Sequence, residues 1–142
     1  MLSENIPTCI QLIKTAIVRT LQDSRGRWVL DQAHHAARSE LAMSAYLEDT
    51  MMHYVIDRTF IDDGGNRWII DYKTSVNDEE SEAQFLARMR DLYSKQLTHY
   101  ARVFTLLEDR PIKLGLYFPL FSGWCEWSYI EESKCQKIFQ EN

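Results

Sequence analysis

The chain has 142 residues, the length of one ordinary domain, and its 45% hydrophobic residues can form a packed core. It has neither a run of about eighteen apolar residues nor a basic N-terminal segment followed by an apolar stretch, so a membrane span and a signal peptide are excluded. The net charge of -5 disfavours a free-standing nucleic-acid binder, because such binders neutralise phosphates. We therefore expect one soluble, cytoplasmic domain over residues 1–142, with either a local basic surface or a larger protein that holds any nucleic acid.

The cysteines do not indicate a structural role. Cys9, Cys125 and Cys135 are an odd, scattered set without Cys-x-x-Cys spacing. Such a set argues against a zinc site and against a secreted disulfide framework. We interpret them as ordinary thiols.

The N-terminal third predicts one helix and one strand. Apolar residues recur at helical spacing over residues 8–23, with Pro7 suited to the first turn. Residues 24–27 interrupt this pattern, and a short apolar patch follows at 28–30 before a polar link. Loose alternation over 37–46 then predicts a first strand.

A β-hairpin is the clearest local prediction. Two strand-like runs, residues 52–61 and 67–73, flank the sequence Asp-Asp-Gly-Gly-Asn at 62–66. Glycine and Asx residues suit a tight turn between antiparallel strands.

The C-terminal half predicts a long helix and one or two strands. A polar loop at 77–81 has helix-start chemistry, and an amphipathic pattern then continues to about Asp109, since Pro111 follows. Residues 113–118 and 124–130 predict strands around a turn at 119–123. The order helix, three strands, helix and one or two strands favours an α/β fold, with a sheet that has helices on both faces.

The hairpin brings together residues that carry chemistry. If it turns about Gly64, Asp57 faces Asp71, and opposed side chains of an antiparallel pair lie about 5 Å apart at Cβ. Two carboxylates this close repel each other unless a cation lies between them, so they form a suitable seat for a hard divalent ion. Lys73 shares the face of Asp71, because side chains alternate along a strand. A metal, a water that it activates and a nearby cation are the parts that phosphodiester cleavage needs.

A structural interpretation of the same residues remains open. Asp57 and Asp71 could be solvated strand residues, with Lys73 paired to one of them. Strand interiors are poor in aspartate, however, and each Asp follows a strongly apolar run.

Gln96 and Tyr100 are a second candidate pair, because residues four apart share one face of a helix. Gln96 falls on a predicted apolar stripe, where an amide needs a partner. The stripe comprises Phe85, Met89, Leu92, Gln96, Tyr100, Val103 and Leu107. Gln96 either projects toward the carboxylates or a nucleic-acid backbone, or is a boundary residue beside a core tyrosine.

Other polar and aromatic residues are given structural interpretations. We expect His34 and His35 to be solvent-exposed residues of a linker. Trp124 and Trp127, at odd spacing on a strand, should point to opposite faces of the sheet. Glu40 is left open between an additional acidic ligand and a neighbour of Arg38.

Three segments carry a resemblance to a known family: Val55-Ile56-Asp57-Arg58, Trp68-Ile69-Ile70-Asp71-Tyr72-Lys73-Thr74-Ser75 and Gln96-Leu97-Thr98-His99-Tyr100. Together they resemble the RecB-like branch of the PD-(D/E)xK nucleases. The most similar group is the C-terminal nuclease domain of exonuclease V beta-subunit-like helicase-nucleases. The resemblance covers about residues 28–130, including Leu114-Gly115-Leu116-Tyr117-Phe118-Pro119.

The resemblance implies a restriction-endonuclease-like αβββαβ core and a DNA exonuclease. By analogy, Asp57, Asp71 and the Tyr72 carbonyl would bind Mg²⁺, with Mn²⁺ as a substitute, and Lys73 would act on the attacking water. Gln96 and Tyr100 would match an additional motif near the active site and the DNA strand. The implied partners are DNA, an ATP-driven helicase motor and further exonuclease V subunits, acting in break repair.

The sequence departs from the family pattern in two respects. No Gly-Thr-x-x-His-like motif, which usually supplies a further ligand, precedes Asp57, and residues 8–23 contain no His or Glu. The ATP-binding Gly-x-x-x-x-Gly-Lys-[Ser/Thr] motif is also missing. We therefore interpret the chain as a fragment of a larger helicase-nuclease. Two alternatives stay open: a non-catalytic module of the same fold for DNA binding or protein docking, and an unrelated α/β scaffold with a chance motif.

Overall fold

The computed structural model describes residues 2–77 and 79–131. It is an α/β structure in which two helices precede three strands, and a third helix precedes two more strands. The elements are α1 (Leu2–Gln22), α2 (Ser24–Leu30), β1 (His35–Leu47), β2 (Thr50–Ile61), β3 (Arg67–Tyr72), α3 (Glu82–Thr105), β4 (Ile112–Phe118) and β5 (Gly123–Ser128).

The five strands form one mixed sheet in the order β1-β2-β3-β4-β5. β3 and β4 run parallel, joined by the α3 crossover, and the other neighbours are antiparallel. The predicted α/β class and the flanked mixed sheet are thus confirmed, whereas likeness to a restriction-endonuclease core stays a prediction.

Helices cover both faces of the sheet. On one face, α3 packs over the α3-side core, which includes Ile69, Leu97, Leu114 and Leu116. On the other face, α2 packs over the α2-side core, which consists of Val29, Phe60, Trp68, Ile70 and Tyr117. Trp127 packs against the first core and Trp124 against the second, so their predicted opposite orientation is confirmed. Burial on both faces explains why the centre of β3, Trp68-Ile69-Ile70, is a continuous apolar run.

Short-range hydrogen bonds stabilise the start of α3 and the turn of the β2–β3 hairpin. Ser81 and Gln84 form a capping box at the start of α3, as the polar loop predicted. In the hairpin turn, Asp62 Oδ1 accepts hydrogen bonds from the amides of Gly64 and Asn66, each at 2.9 Å. α3 ends at Thr105, earlier than the predicted end at about Asp109, and the chain turns at 106–107 before it reaches Pro111.

The prediction for residues 24–30 was wrong: they form a helix rather than a break and an apolar patch. Asp23 caps this helix by accepting a hydrogen bond from Gly26 N at 3.1 Å. Tyr117 on β4 donates to the same carboxylate at 2.9 Å. Val29 is fully buried, so tertiary packing and the cap together stabilise a helix too short for a periodic signal.

The N-terminal helix is less buried than its apolar pattern predicted. Ile10, Ile13, Ile17 and Leu21 are each about half exposed. Cys9 and Cys125 are free thiols, and Cys135 lies outside the described residues. In the described part of the chain, no helix combines the length and the hydrophobicity needed to cross a bilayer.

One buried arginine connects the sheet to α2. Arg58 is 2% exposed, and its guanidinium donates to the carbonyls of Val29 at 2.8 Å and Asp31 at 2.9 Å. It also donates to Ser39 Oγ on β1 at 3.0 Å. These bonds satisfy carbonyls at the end of α2 and fix that helix against the central strands.

Replacing this arginine should therefore destabilise the fold. We expect Arg58→Met to lower the free energy of unfolding by about 3 kcal/mol, because two carbonyls lose a charged donor. Urea denaturation followed by circular dichroism measures this change. Arg38→Met, at an exposed position on β1, is the control and should change stability by less than about 0.5 kcal/mol. Equal effects of the two substitutions would contradict the anchoring role.

Candidate functional site

The predicted hairpin register is confirmed. Arg58 pairs with Ile70 and Thr59 with Ile69, so Asp57 and Asp71 occupy the next opposed positions. There the backbone ladder gives way to a side-chain contact, since Asp57 Oδ2 accepts the Tyr72 amide hydrogen at 2.9 Å. The two carboxylates thus meet where β2 and β3 separate.

Strand β2 changes face next to this point. Ile56 belongs to the α3-side core, although Arg58, two residues later, bonds to α2 on the opposite side. On β1, Glu40 lies between Ser39, which pairs with Arg58, and Leu41, which pairs with Ile56. Glu40 has a left-handed φ of 52°, which non-glycine residues seldom adopt. This irregularity lets β1 and β2 place side chains in both cores. It also interrupts the regular alternation of side chains beside Asp57.

Asp71 is the most buried acidic group of the site. Its residue is 6% exposed, and the Lys73 ammonium lies 2.6 Å from its Oδ2 atom. Among the described residues, Oδ2 has no hydrogen-bond partner beyond this ion pair. The pKa of Asp71 is raised to about 6: burial raises it most, the Lys73 ammonium lowers it, and the neighbouring Asp57 carboxyl raises it. An ionised carboxylate here therefore depends on nearby positive charge.

Lys73 contacts two groups. Besides the Asp71 carboxylate, its Nζ atom lies 3.8 Å from the centroid of the Tyr93 ring on α3. The Lys73 side chain is 18% exposed, so only a small part of it is in contact with solvent. Lys73 thus lies between the end of β3 and α3.

The predicted Gln96 and Tyr100 pair is present in the structure. Gln96 Nε2 donates to Tyr100 Oη at 2.9 Å. Burial raises the pKa of Tyr100 most; the hydrogen bond from Gln96 lowers it, and the charges of Asp71 and Asp57 raise it. Gln96 itself is exposed. Of the two interpretations, the structure matches the second: Gln96 is a boundary residue, and its partner Tyr100 is a buried core tyrosine.

The apolar stripe predicted through Gln96 was partly wrong. Leu92 is 60% exposed and Leu107 is 68% exposed. Phe85, Met89, Tyr100 and Val103 of the stripe are buried as predicted. The buried face of α3 also includes Leu97, Ala101 and Phe104, so it is broader than the stripe and extends one residue to its side, because spacings of three and four residues are equally compatible with a helix.

Tyr72 contributes its backbone to the site and its ring to the opposite core. The ring packs against the α2-side core, and burial raises the pKa of its hydroxyl to about 12. Its amide faces Asp57, and the N–H and C=O of one strand residue point to the same neighbouring strand. The carbonyl is therefore on the Asp57 side, while its coordination of a metal stays a prediction.

Two other candidates lie outside this arrangement. Glu40 is exposed, at the register position opposite Asp57. His34, expected to be exposed, is half-buried: it stacks on Phe60 with ring centroids 3.9 Å apart, and Nε2 contacts the Trp28 carbonyl at 2.6 Å. His35 is exposed as expected. Across residues 2–77 and 79–131, no three His, Cys, Asp or Glu side chains gather closely enough to hold a metal by themselves.

Sequence reasoning did not identify Tyr93 as part of the site. The available signal was its helical spacing, since Tyr93, Gln96 and Tyr100 lie three and four residues apart on one face. That spacing also fits an ordinary core tyrosine. The Lys73 contact depends on how α3 crosses the end of β3.

Comparison with known proteins adds no assignment. No protein-family model matches this sequence, and no curated protein matches it significantly. The chemistry of the site therefore rests on its residues.

The raised pKa of Asp71 predicts a specific pH effect. A carboxyl whose pKa rises from 3.8 to about 6 on folding binds protons more tightly in the folded state. Its contribution to stability therefore falls as pH rises from about 4 to about 6. With a chelator present, we expect Asp71→Asn to match the parent near pH 4 and to exceed its unfolding free energy by about 2 kcal/mol at pH 7.

Urea denaturation across this pH range, analysed as the difference between variant and parent, measures the effect. Subtraction cancels the titration of carboxyl groups that do not interact with Asp71. Asp63→Asn, at an exposed position in the hairpin turn, is the control, and the difference for Asp71→Asn should change with pH more than the difference for this variant does. A constant difference for Asp71→Asn would show that Asp71 has no raised pKa in the folded state.

Proposed function

We propose that this chain is a metal-dependent deoxyribonuclease domain that hydrolyses phosphodiester bonds in DNA. The observation that carries the proposal is the meeting of Asp57 and Asp71 at one end of the hairpin, with Lys73 2.6 Å from Asp71. This combination of two carboxylates and a lysine supports phosphoryl chemistry more specifically than the fold class does.

The residues fit a hard divalent cation. Carboxylate and carbonyl oxygens are the ligands that Mg²⁺ and Mn²⁺ prefer, and Asp71 is buried with a raised pKa that positive charge would lower. Asp57 and Asp71 would hold the ion, with the Tyr72 carbonyl on the same edge. When bound, the ion would polarise the phosphate and activate a water molecule.

Two further groups would assist the reaction. Lys73, released from Asp71 by the metal, would orient the attacking water or offset charge that develops on the phosphate. Tyr100, whose hydroxyl accepts a hydrogen bond from Gln96 and whose pKa is raised by the charges of Asp71 and Asp57, would support the DNA strand. Two ligands from protein side chains leave coordination positions for water and phosphate oxygens.

The wider biological role follows from the same proposal. The resemblance to RecB-like nucleases supports an exonuclease that acts with an ATP-dependent helicase motor during double-strand-break repair. The motor would belong to the same full-length polypeptide, with additional exonuclease V subunits as partners and a cytoplasmic location. A motor that delivers the strand would also account for the net charge of -5.

A second candidate function has support from the ion pair itself. Lys73 already neutralises Asp71, so the site can exist without a metal. A module of this kind would bind DNA or dock a protein without cleaving DNA. The two candidates differ in metal binding and in cleavage, and each property can be measured separately.

Cleavage of labelled DNA is the direct test. We expect the parent to cleave single- or double-stranded DNA when Mg²⁺ or Mn²⁺ is added, and to stop when the metal is chelated. Asp71→Ala and Lys73→Ala should each reduce the rate by about 100-fold or more, because both act at the reacting phosphate. Asp63→Ala, in the exposed turn, should retain parental activity. Lys73→Ala that cleaves as fast as the parent would contradict the proposed role.

Calorimetric titration with Mn²⁺ separates the two candidate functions. A nuclease site should bind Mn²⁺, and Asp57→Asn or Asp71→Asn should abolish that binding, because each removes one of two charged ligands. The non-catalytic module should bind no Mn²⁺, or bind it equally well without Asp57. Circular dichroism of each variant checks that it is folded.

A further inference from the structure

The ammonium group of Lys73 lies between a carboxylate and an aromatic face. Nζ is 2.6 Å from Asp71 Oδ2 and 3.8 Å from the centroid of the Tyr93 ring. An aromatic face carries negative potential, so it attracts a cation held above it. Because the lysine side chain is 18% exposed, water screens this attraction less than at an open surface.

A bound metal would affect the two contacts of Lys73, with Asp71 and with Tyr93, in different ways. A divalent ion at Asp71 would compete with Lys73 for the same carboxylate oxygen and would repel its positive charge. The Tyr93 ring carries no metal-binding carboxylate and keeps its attraction for the ammonium. Without the ring, a flexible lysine side chain would lose its defined position when the metal enters.

Tyr93 is well placed to act as a fixed support. It is half-buried and packs against the α3-side core, between the buried residues Met89 and Leu97 of the same helix. Lys73, in contrast, follows the last residue of β3 in a segment without regular structure. The Lys73 amide still donates to the Tyr117 carbonyl at 2.9 Å, so the long side chain, rather than the backbone, is the part that α3 can hold in place.

From these contacts we propose that Tyr93 is a positioning residue, whose ring face keeps the Lys73 ammonium at the site after a metal ion has taken the Asp71 carboxylate. The inference rests on the nuclease function proposed above and adds a residue to it. Tyr93 acts through Lys73. The ring face, and not the phenolic hydroxyl, is the part required.

The first measurement is the NMR chemical shift of the Lys73 ε-methylene protons, assigned by comparison with Lys73→Met. Protons above an aromatic face are shifted upfield by the ring. We expect this shift in the parent and in Tyr93→Phe, both before and after Mg²⁺ is added, and its loss in Tyr93→Leu. A shift that is absent from the parent, or that disappears when Mg²⁺ binds, would overturn the proposal.

The second measurement is DNA cleavage by the same folded variants. We expect Tyr93→Leu to lower kcat about tenfold with little change in KM, and Tyr93→Phe to retain the parental kcat. Trp127→Leu is the matched control, because Trp127 makes a similar contact with Arg90 of α3, 5.2 Å from ring centroid to guanidinium. It removes an aromatic support from α3 and should leave kcat unchanged after correction for the folded fraction.

The two readouts distinguish failure of the inference from failure of the proposed function. If Tyr93→Leu loses the upfield shift and retains kcat, the nuclease function stands and the positioning role is overturned. If the parent neither binds Mg²⁺ nor cleaves DNA, the proposed function fails and the positioning role fails with it. An intact upfield shift in that case would establish the Lys73 and Tyr93 contact as packing alone.

Discussion

The charges around Asp71 are the constraint on which the arrangement of the site at the end of the hairpin depends. A carboxylate that is 6% exposed loses most of its hydration, and burial accordingly raises its pKa to about 6. Asp57 adds a second negative group beside it, and Lys73 compensates for part of that charge. A protein gains no stability from such an arrangement at neutral pH, which is consistent with the proposed role of these carboxylates in binding a cation.

The surrounding fold keeps the acidic groups in place against their mutual repulsion. The parallel pairing of β3 with β4 continues to Tyr72, next to Asp71, and Lys73 N donates to the Tyr117 carbonyl beyond the strand end. Asp57 is held from the other side by its bond to the Tyr72 amide. Arg58 follows directly and ties the same strand to α2. Rigid elements on both sides thus limit how far the carboxylates can separate.

The two helices that pack on the sheet, α2 and α3, contribute differently to the site. α2 and its aromatic neighbours close the opposite face of the sheet without reaching the carboxylates. α3 covers the site face and lays Tyr93, Gln96 and Tyr100 along it. Two of these three residues are aromatic and partly or fully buried. The site is consequently bordered by a surface of low polarity, which strengthens every charge interaction within it.

Much of the local structure was evident from the sequence. The turn residues at 62–66 predicted the hairpin register, because glycine and Asx residues favour a turn at that place, and this register set Asp57 opposite Asp71. Alternation along β3 then predicted Lys73 on the face of Asp71. The polar loop at 77–81 likewise predicted the start of α3, where the structure has a capping box at Ser81. These signals are short-range, so residues close in the chain are sufficient to specify them.

Other features were decided by tertiary structure alone. α2 forms because Asp23 and Val29 find partners on distant strands, and His34 is drawn onto Phe60 for the same reason. The buried face of α3, and with it the contact of Tyr93 with Lys73, depends on the angle at which the helix crosses the sheet. Helical periodicity tolerates a shift of one residue, whereas close packing does not. The amino-acid sequence therefore determined which charged groups share the hairpin, and the packing of α3 decided which side chains surround them.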